Sequence, residues 1–176
     1  MGVLAIAKVG NPVLRKMADP VEPDRIRSRS FQNFIDDMFE TMVQNEGIGL
    51  AAPQVARSEQ VVVMACEGDE GFPETVLINP KIVYYSPQVG DMWEGCLSVD
   101  NLRGKVTRPS TIRVQFLDRD GIPQDLEANG LYAVCIQHEM DHLVGKLFVD
   151  RMTDMSTLTQ LAEFDEYWKQ EPATVI

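Results

Sequence analysis

The sequence predicts a single α+β domain over residues 1–176, with antiparallel or mixed β-sheets packed around a central buried helix and further helices toward the two ends. Three observations carry this. Several short runs are rich in β-branched residues or alternate apolar with polar ones, as strands do. One segment, residues 131–144, is apolar on most faces and stops at Gly145. Strands and helices never alternate as a βαβ series, and no glycine-rich nucleotide loop is found.

The first helix is expected over residues 31–45. Phe31, Phe34, Ile35, Met38 and Met42 follow 3.6-residue spacing, Ser30 is placed to cap the start, and Gly47 supplies a stop. Strands are expected over residues 60–65, 75–79, 81–86 and 111–117. In the last of these Ile112, Val114 and Phe116 alternate with polar residues, the period of a half-buried strand. Asp120-Gly121 marks a reversal into a further strand at 124–127. The buried helix at 131–144 follows. A last helix is expected over 156–169, with Leu158, Leu161, Phe164 and Trp168 turned inward and residues 151–176 forming a C-terminal extension.

Composition narrows the function classes. Hydrophobic residues make up 44% and charged residues 24%, the balance of a soluble globular protein, and no apolar run approaches a membrane span. The opening MGVLAIAKVGNP has no basic leader, and Ile6 breaks the myristoylation pattern, so a cytoplasmic location is expected, with a processed organellar form as the alternative. Sixteen Lys plus Arg against 27 Asp plus Glu give a net charge of −11, which argues against direct nucleic-acid binding. Cys66, Cys96 and Cys135 are too few and too odd in number for a disulfide framework, which fits a reducing compartment.

The two histidines of the chain share one hexapeptide, Gln137-His138-Glu139-Met140-Asp141-His142. A spacing of four puts both imidazoles on one side of a helix, one turn apart, where both can bind one metal ion. Glu139 points about 100° around the helix from His138. From there its carboxylate can reach a water beside the metal without being a ligand, which is the mechanical content of H-E-x-x-H. The bland alternative is a neighbouring pair of core histidines. It would leave two buried imidazoles short of polar partners, a costly arrangement.

A catalytic metal needs a third protein ligand and an open position. No third histidine exists. Downstream, Glu163 is formally available, as in zincin-like peptidases. Upstream, Cys96 in Glu94-Gly95-Cys96-Leu97-Ser98 lies in a polar, glycine-containing segment suited to presenting a thiolate, though a lone cysteine is more often a small core residue. Cys135 precedes His138 by one turn and reads as packing in the same cavity, or as the fourth ligand of a closed structural zinc site. Cys66 reads as core. Gly47-Ile48-Gly49-Leu50-Ala51-Ala52-Pro53-Gln54 allows close backbone approach and brings an amide donor, but by itself is equally a helix cap and loop. A silent peptide-binding module is the competing class.

Taken together and in order, these three segments resemble the peptide deformylase family. Gly10-Asn11-Pro12-Val13-Leu14-Arg15 resembles its opening, and the likeness runs over most of residues 8–151. The resemblance implies removal of the N-formyl group from formylmethionine at the start of newly made polypeptides, with release of formate. It implies a divalent metal held by Cys96, His138 and His142: ferrous iron natively, with zinc, nickel or cobalt possible as isolated. Glu139 would move the protons, while Gln54 and the Leu97 backbone N–H would stabilise charge on the formyl oxygen. The peptide would lie extended along Ile48, Gly49 and Gly95. Its methionine side chain would enter a pocket formed by Ile48, Leu131, Val134, Cys135 and the stem of His138. Helical spacing places the last four of these on one face. Asp100 departs from the family, standing where relatives commonly have proline. The tail after Arg151 is acidic and gives no electrostatic support for contact with the ribosome.

Overall fold

The computed structural model describes residues 2–68 and 71–169. In chain order the helices are α1 (Pro23–Ile26), α2 (Arg29–Gln44), α3 (Gly130–Leu143) and α4 (Leu161–Tyr167). The strands are β1 (Gly49–Ala51), β2 (Val61–Cys66), β3 (Phe72–Tyr85), β4 (Val89–Cys96), β5 (Val99–Pro109), β6 (Thr111–Leu117), β7 (Pro123–Asn129) and β8 (Thr159–Gln160). They form two antiparallel sheets, ordered β1-β2-β3-β6-β7 and β4-β5-β8. The result is one α+β domain.

The larger sheet is covered on both faces, and strand alternation shows how. Val61 and Val63 of β2 pack with Phe31, Ile35, Met38 and Met42 of α2, whereas Val62 and Met64 pack with Ala133, Val134, Ile136 and Leu143 of α3. Successive strand side chains point to opposite faces, so a central strand between two helical layers is apolar throughout. All four of these β2 residues are fully buried. Helix α3 has ten of its fourteen residues buried, which places it inside the domain rather than on its surface. A third apolar cluster, with Leu14, Val99, Val106, Leu147 and Phe148, joins the smaller sheet to the rest and contains Cys96.

Several expectations need correction. The cap of α2 is Ser28, whose hydroxyl accepts the Phe31 N–H at 3.3 Å; Ser30 lies inside the helix, because helical geometry begins before the first apolar residue. The strands expected at 75–79 and 81–86 are one strand, β3. Asn79 adopts φ 52°, and a register shift between Ile78 and Lys81 carries Pro80, the usual way a proline is accommodated in a sheet. The β4–β5 hairpin was not expected at all, since Gly90, Gly95, Asp100, Asn101 and Gly104 depress strand propensity and pairing overrides it. The last helix is shorter than expected. Residues Met155–Thr157 form a 3-10 turn, β8 pairs with Leu102 and Arg103, and only Leu161–Tyr167 is helical. Phe164 is buried edge-on against Trp93 at 5.0 Å, but Leu161 is half-buried and Trp168 is exposed. Cys66 is half-buried rather than core. The part of the C-terminal extension beyond residue 169 lies outside the described residues. Among those described, no helix is long and apolar enough to cross a membrane.

Candidate active site

His138 and His142 project from one side of α3, as their spacing requires. Cys96 is the last residue of β4, just before the two-residue turn Leu97-Ser98 that leads into β5. A register shift between Glu94 and Cys96 re-aims the strand end. The sulfur and one nitrogen of each histidine lie within 4.8 Å of one another, and all three residues are buried. Cys96 Sγ stands 3.3 Å from His142 Nε2. Donors on a tetrahedral ion, with bonds of about 2.3 Å to sulfur and 2.0 Å to nitrogen, stand roughly 3.5 Å apart, so this set fits a divalent metal. Cys135 is not in the group; its thiol faces Ile48 O at 3.8 Å. Glu163 is exposed on α4 and is not in the group either.

Behind His138 runs a buried chain of charge. Its Nδ1 bonds Glu94 Oε2 at 2.8 Å, which leaves Nε2 for the metal side. Arg108 grips both oxygens of Glu94, at 2.5 and 3.0 Å, and reaches Asp141 Oδ2 at 3.0 Å; Arg151 closes the network on Asp141. Burial works against the Glu94 carboxylate, but hydrogen bonds from His138 and Arg108 outweigh it and bring its pKa down to about 2. Glu94 is therefore an anion that orients His138. His142 has no such carboxylate: its Nδ1 is buried without a partner among the described residues.

Glu94 and Asp141 stand inside the matching segments, but the sequence alone assigns no role to them or to Arg108. Asp141 within the histidine hexapeptide and Glu94 beside Cys96 were the available signals. Removing one partner from a buried ionic network strands the others, so Arg108→Met is expected to cost about 3–5 kcal/mol of stability. Urea unfolding of the purified variant measures this. A loss under about 1 kcal/mol, the worth of a surface pair, would mean the network is not held as a unit.

Glu139 is buried, with Oε2 unpartnered among the described residues. Gly49 makes the room. A Cβ at that position would stand 2.6 Å from Glu139 Oε1 and 2.9 Å from Cys135 Sγ. Burial, with Glu94 adding and His138 opposing, lifts the Glu139 pKa to about 7, suited to taking and returning a proton near neutrality. Two carboxylates in one site thus have pKa values pushed far apart, the pattern that separates an orienting anion from a proton carrier. Gln54 is also buried. Its Oε1 accepts the Ala51 N–H at 2.7 Å, so Nε2 faces inward, 3.6 Å from Cys96 Sγ, as a donor.

β1 and β4 are the outer strands of their sheets, and both reach this centre: Gly49 against Glu139, and Cys96 with the group itself. Val134 and Cys135 are buried, while Ile48 and Leu131 are half-buried, all in one apolar cluster; buried Gly95 precedes Cys96. A cavity of about 370 Å³ adjoins the centre and is lined by Lys8, Gly47, Cys96, Leu97, Asp100 and Arg103 among others.

Known proteins resemble this chain over most of its length. The family model described as polypeptide deformylase matches residues 3–157. Peptide deformylase 2 of Xanthomonas axonopodis pv. citri is 46% identical over 156 residues, covering 88% of this chain and 90% of that protein. The peptide deformylase of Leptospira biflexa is 42% identical over 159 residues, covering 86% and 89%. The crystal structure of the Acinetobacter baumannii class I type b peptide deformylase with Met-Ala-Ser bound superposes with a TM-score of 0.82 at 35% identity, covering 85% of this chain and 98% of that one. By the family match and these identities over most of its length, the chain belongs to the polypeptide deformylase family.

Proposed function

We propose that this protein hydrolyses the N-formyl group from formylmethionine at the start of newly made peptides, as a single catalytic domain over residues 1–176. The observation that carries the reading is the convergence of Cys96, His138 and His142 beside the unpartnered carboxylate of Glu139. A divalent metal bound by those three would acidify a water and polarise the formyl carbonyl. Glu139, from the H-E-x-x-H motif on α3, takes the proton of the attacking water and returns one to the departing amine. As the formyl carbon becomes tetrahedral, Gln54 Nε2 and the Leu97 N–H donate to its oxygen. Formate leaves, and a free amino-terminal methionine remains.

The peptide lies extended between β1 and β4, pairing with Ile48, Gly49 and Gly95; a peptide as the substrate is supported by the Met-Ala-Ser bound in the Acinetobacter relative. The methionine side chain packs against Ile48, Leu131, Val134, Cys135 and the stem of His138. We assign the reaction to the cytoplasm and give RNA no part in binding, in keeping with the net charge of −11.

Protein purified without oxygen should release formate from formyl-Met peptides and carry one divalent metal per chain. A metal-replete protein that leaves formyl-Met peptides intact would refute the reading. The native metal is proposed to be ferrous iron, and this predicts sensitivity to air. Iron held by Cys96, His138 and His142 would be open to oxidation by dioxygen, and the Cys96 thiolate beside it could then climb the sulfur oxidation ladder with dioxygen as the oxidant. Activity should decay faster in air than under argon, with mass added to the Cys96 peptide, while nickel- or cobalt-loaded protein persists. Equal decay in both gases with Cys96 unmodified would favour zinc, which does not change oxidation state.

A further inference from the structure

Three consecutive residues near the N-terminus fasten together the two loops that supply the donors to the formyl oxygen. The Ala7 N–H donates to Gln54 O at 2.7 Å, and the Val9 N–H donates to Ser98 O at 2.8 Å. Between them, the Lys8 ammonium crosses the β4–β5 turn, donating to Leu97 O at 2.8 Å and pairing with Asp100 Oδ1 at 2.6 Å. The loops so joined are far apart in the chain: Gln54 and Cys96 are separated by 42 residues.

We propose that Lys8, held by Asp100, is a positioning residue for deformylation: by anchoring the Leu97 carbonyl it steadies the turn, so that the Leu97 N–H, one peptide plane earlier, stays aimed at the formyl oxygen; this rests on the deformylase reading. The turn it anchors is only Leu97-Ser98, with Cys96 on one side and Val99 on the other. Rocking of that turn would swing the Leu97 N–H, while Cys96 is held on its other side by its place at the end of β4 and its pairing with Val99. A charge-assisted bond to the Leu97 carbonyl opposes such rocking. Asp100 neutralises the ammonium, so the pair adds little net field and its contribution is geometric. Both side chains are about half exposed, 49% and 56%. Surface pairs of this kind contribute little to global stability, which allows a positional role to be separated from a structural one.

The test uses full-length, metal-loaded protein and formyl-Met peptide. In Lys8→Met, kcat is expected to fall about tenfold, less than the loss of a whole oxyanion donor, with KM, metal content and melting temperature unchanged. Lys8→Arg, which can bond both partners, should recover most of the rate. Asp100→Asn should lose less than Lys8→Met and add nothing to it, because it acts through Lys8. A second readout is independent of turnover. In the zinc-loaded protein, amide hydrogen exchange at Leu97 and Ser98 should quicken in Lys8→Met and return toward wild type in Lys8→Arg. An active wild type with unaltered kcat in Lys8→Met would overturn this inference alone, as would a change confined to KM, which would make the pair a substrate contact. A wild type without formate release would overturn the deformylase reading together with it.

Discussion

Glu139→Gln is expected to keep its metal and lose formate release by roughly 10²-fold or more. The amide has the shape of the carboxylate and fits the same space beside Gly49, so neither α3 nor the three metal donors need move. What it cannot do is accept a proton from the attacking water or hand one to the leaving amine. The stability of the variant provides an internal control. Because the carboxylate is buried with one oxygen unpartnered, replacing it with a neutral group relieves a desolvation cost, and the melting temperature should not fall. Metal content, kcat and thermal unfolding on one preparation decide the matter. Near-normal turnover would remove Glu139 from the chemistry, and lost metal would recast it as a ligand.

Cys96→Ala is expected to weaken metal binding as severely as His142→Ala. Loss of an outer-shell partner alone costs about 10- to 100-fold in affinity, and loss of one of three ligands should exceed that. The substitution removes one sulfur from a buried position at a strand end, so the β4–β5 hairpin should survive it. Chelator competition on zinc-loaded protein measures the affinity, and circular dichroism confirms the fold. A Cys96→Ala protein that keeps stoichiometric zinc would sink the assignment and return attention to a downstream carboxylate such as Glu163.

Where local periodicity decides structure, the sequence was legible. The spacing of Phe31, Phe34, Ile35, Met38 and Met42 located α2 to within a turn, and the alternation of Ile112, Val114 and Phe116 gave the bounds of β6. The joint presentation of His138 and His142 followed from helix geometry alone, because four residues is about one turn. Errors fell where distant pairing overrides local preference. The β4–β5 hairpin is built from glycine- and aspartate-bearing segments that gain strand structure only from each other, and β8 exists because Leu102 and Arg103 offer an edge.

The sequence by itself therefore determined an α+β domain, a buried helix bearing two imidazoles placed to share one metal with a glutamate between them, and a short set of candidates for a third ligand. Tertiary structure alone decided among the candidates, since whether Cys96 or Glu163 meets the histidines depends on how the smaller sheet packs on α3. It also decided the opposite fates of the two glutamates. Glu94 is an anion because Arg108 and His138 reach it across the fold, and Glu139 is lifted toward neutrality because packing buries it. Ligand spacing within one helix is a local property of the chain, whereas burial, charge pairing and the meeting of Lys8 with Leu97 and Asp100 arise only when distant segments are folded together.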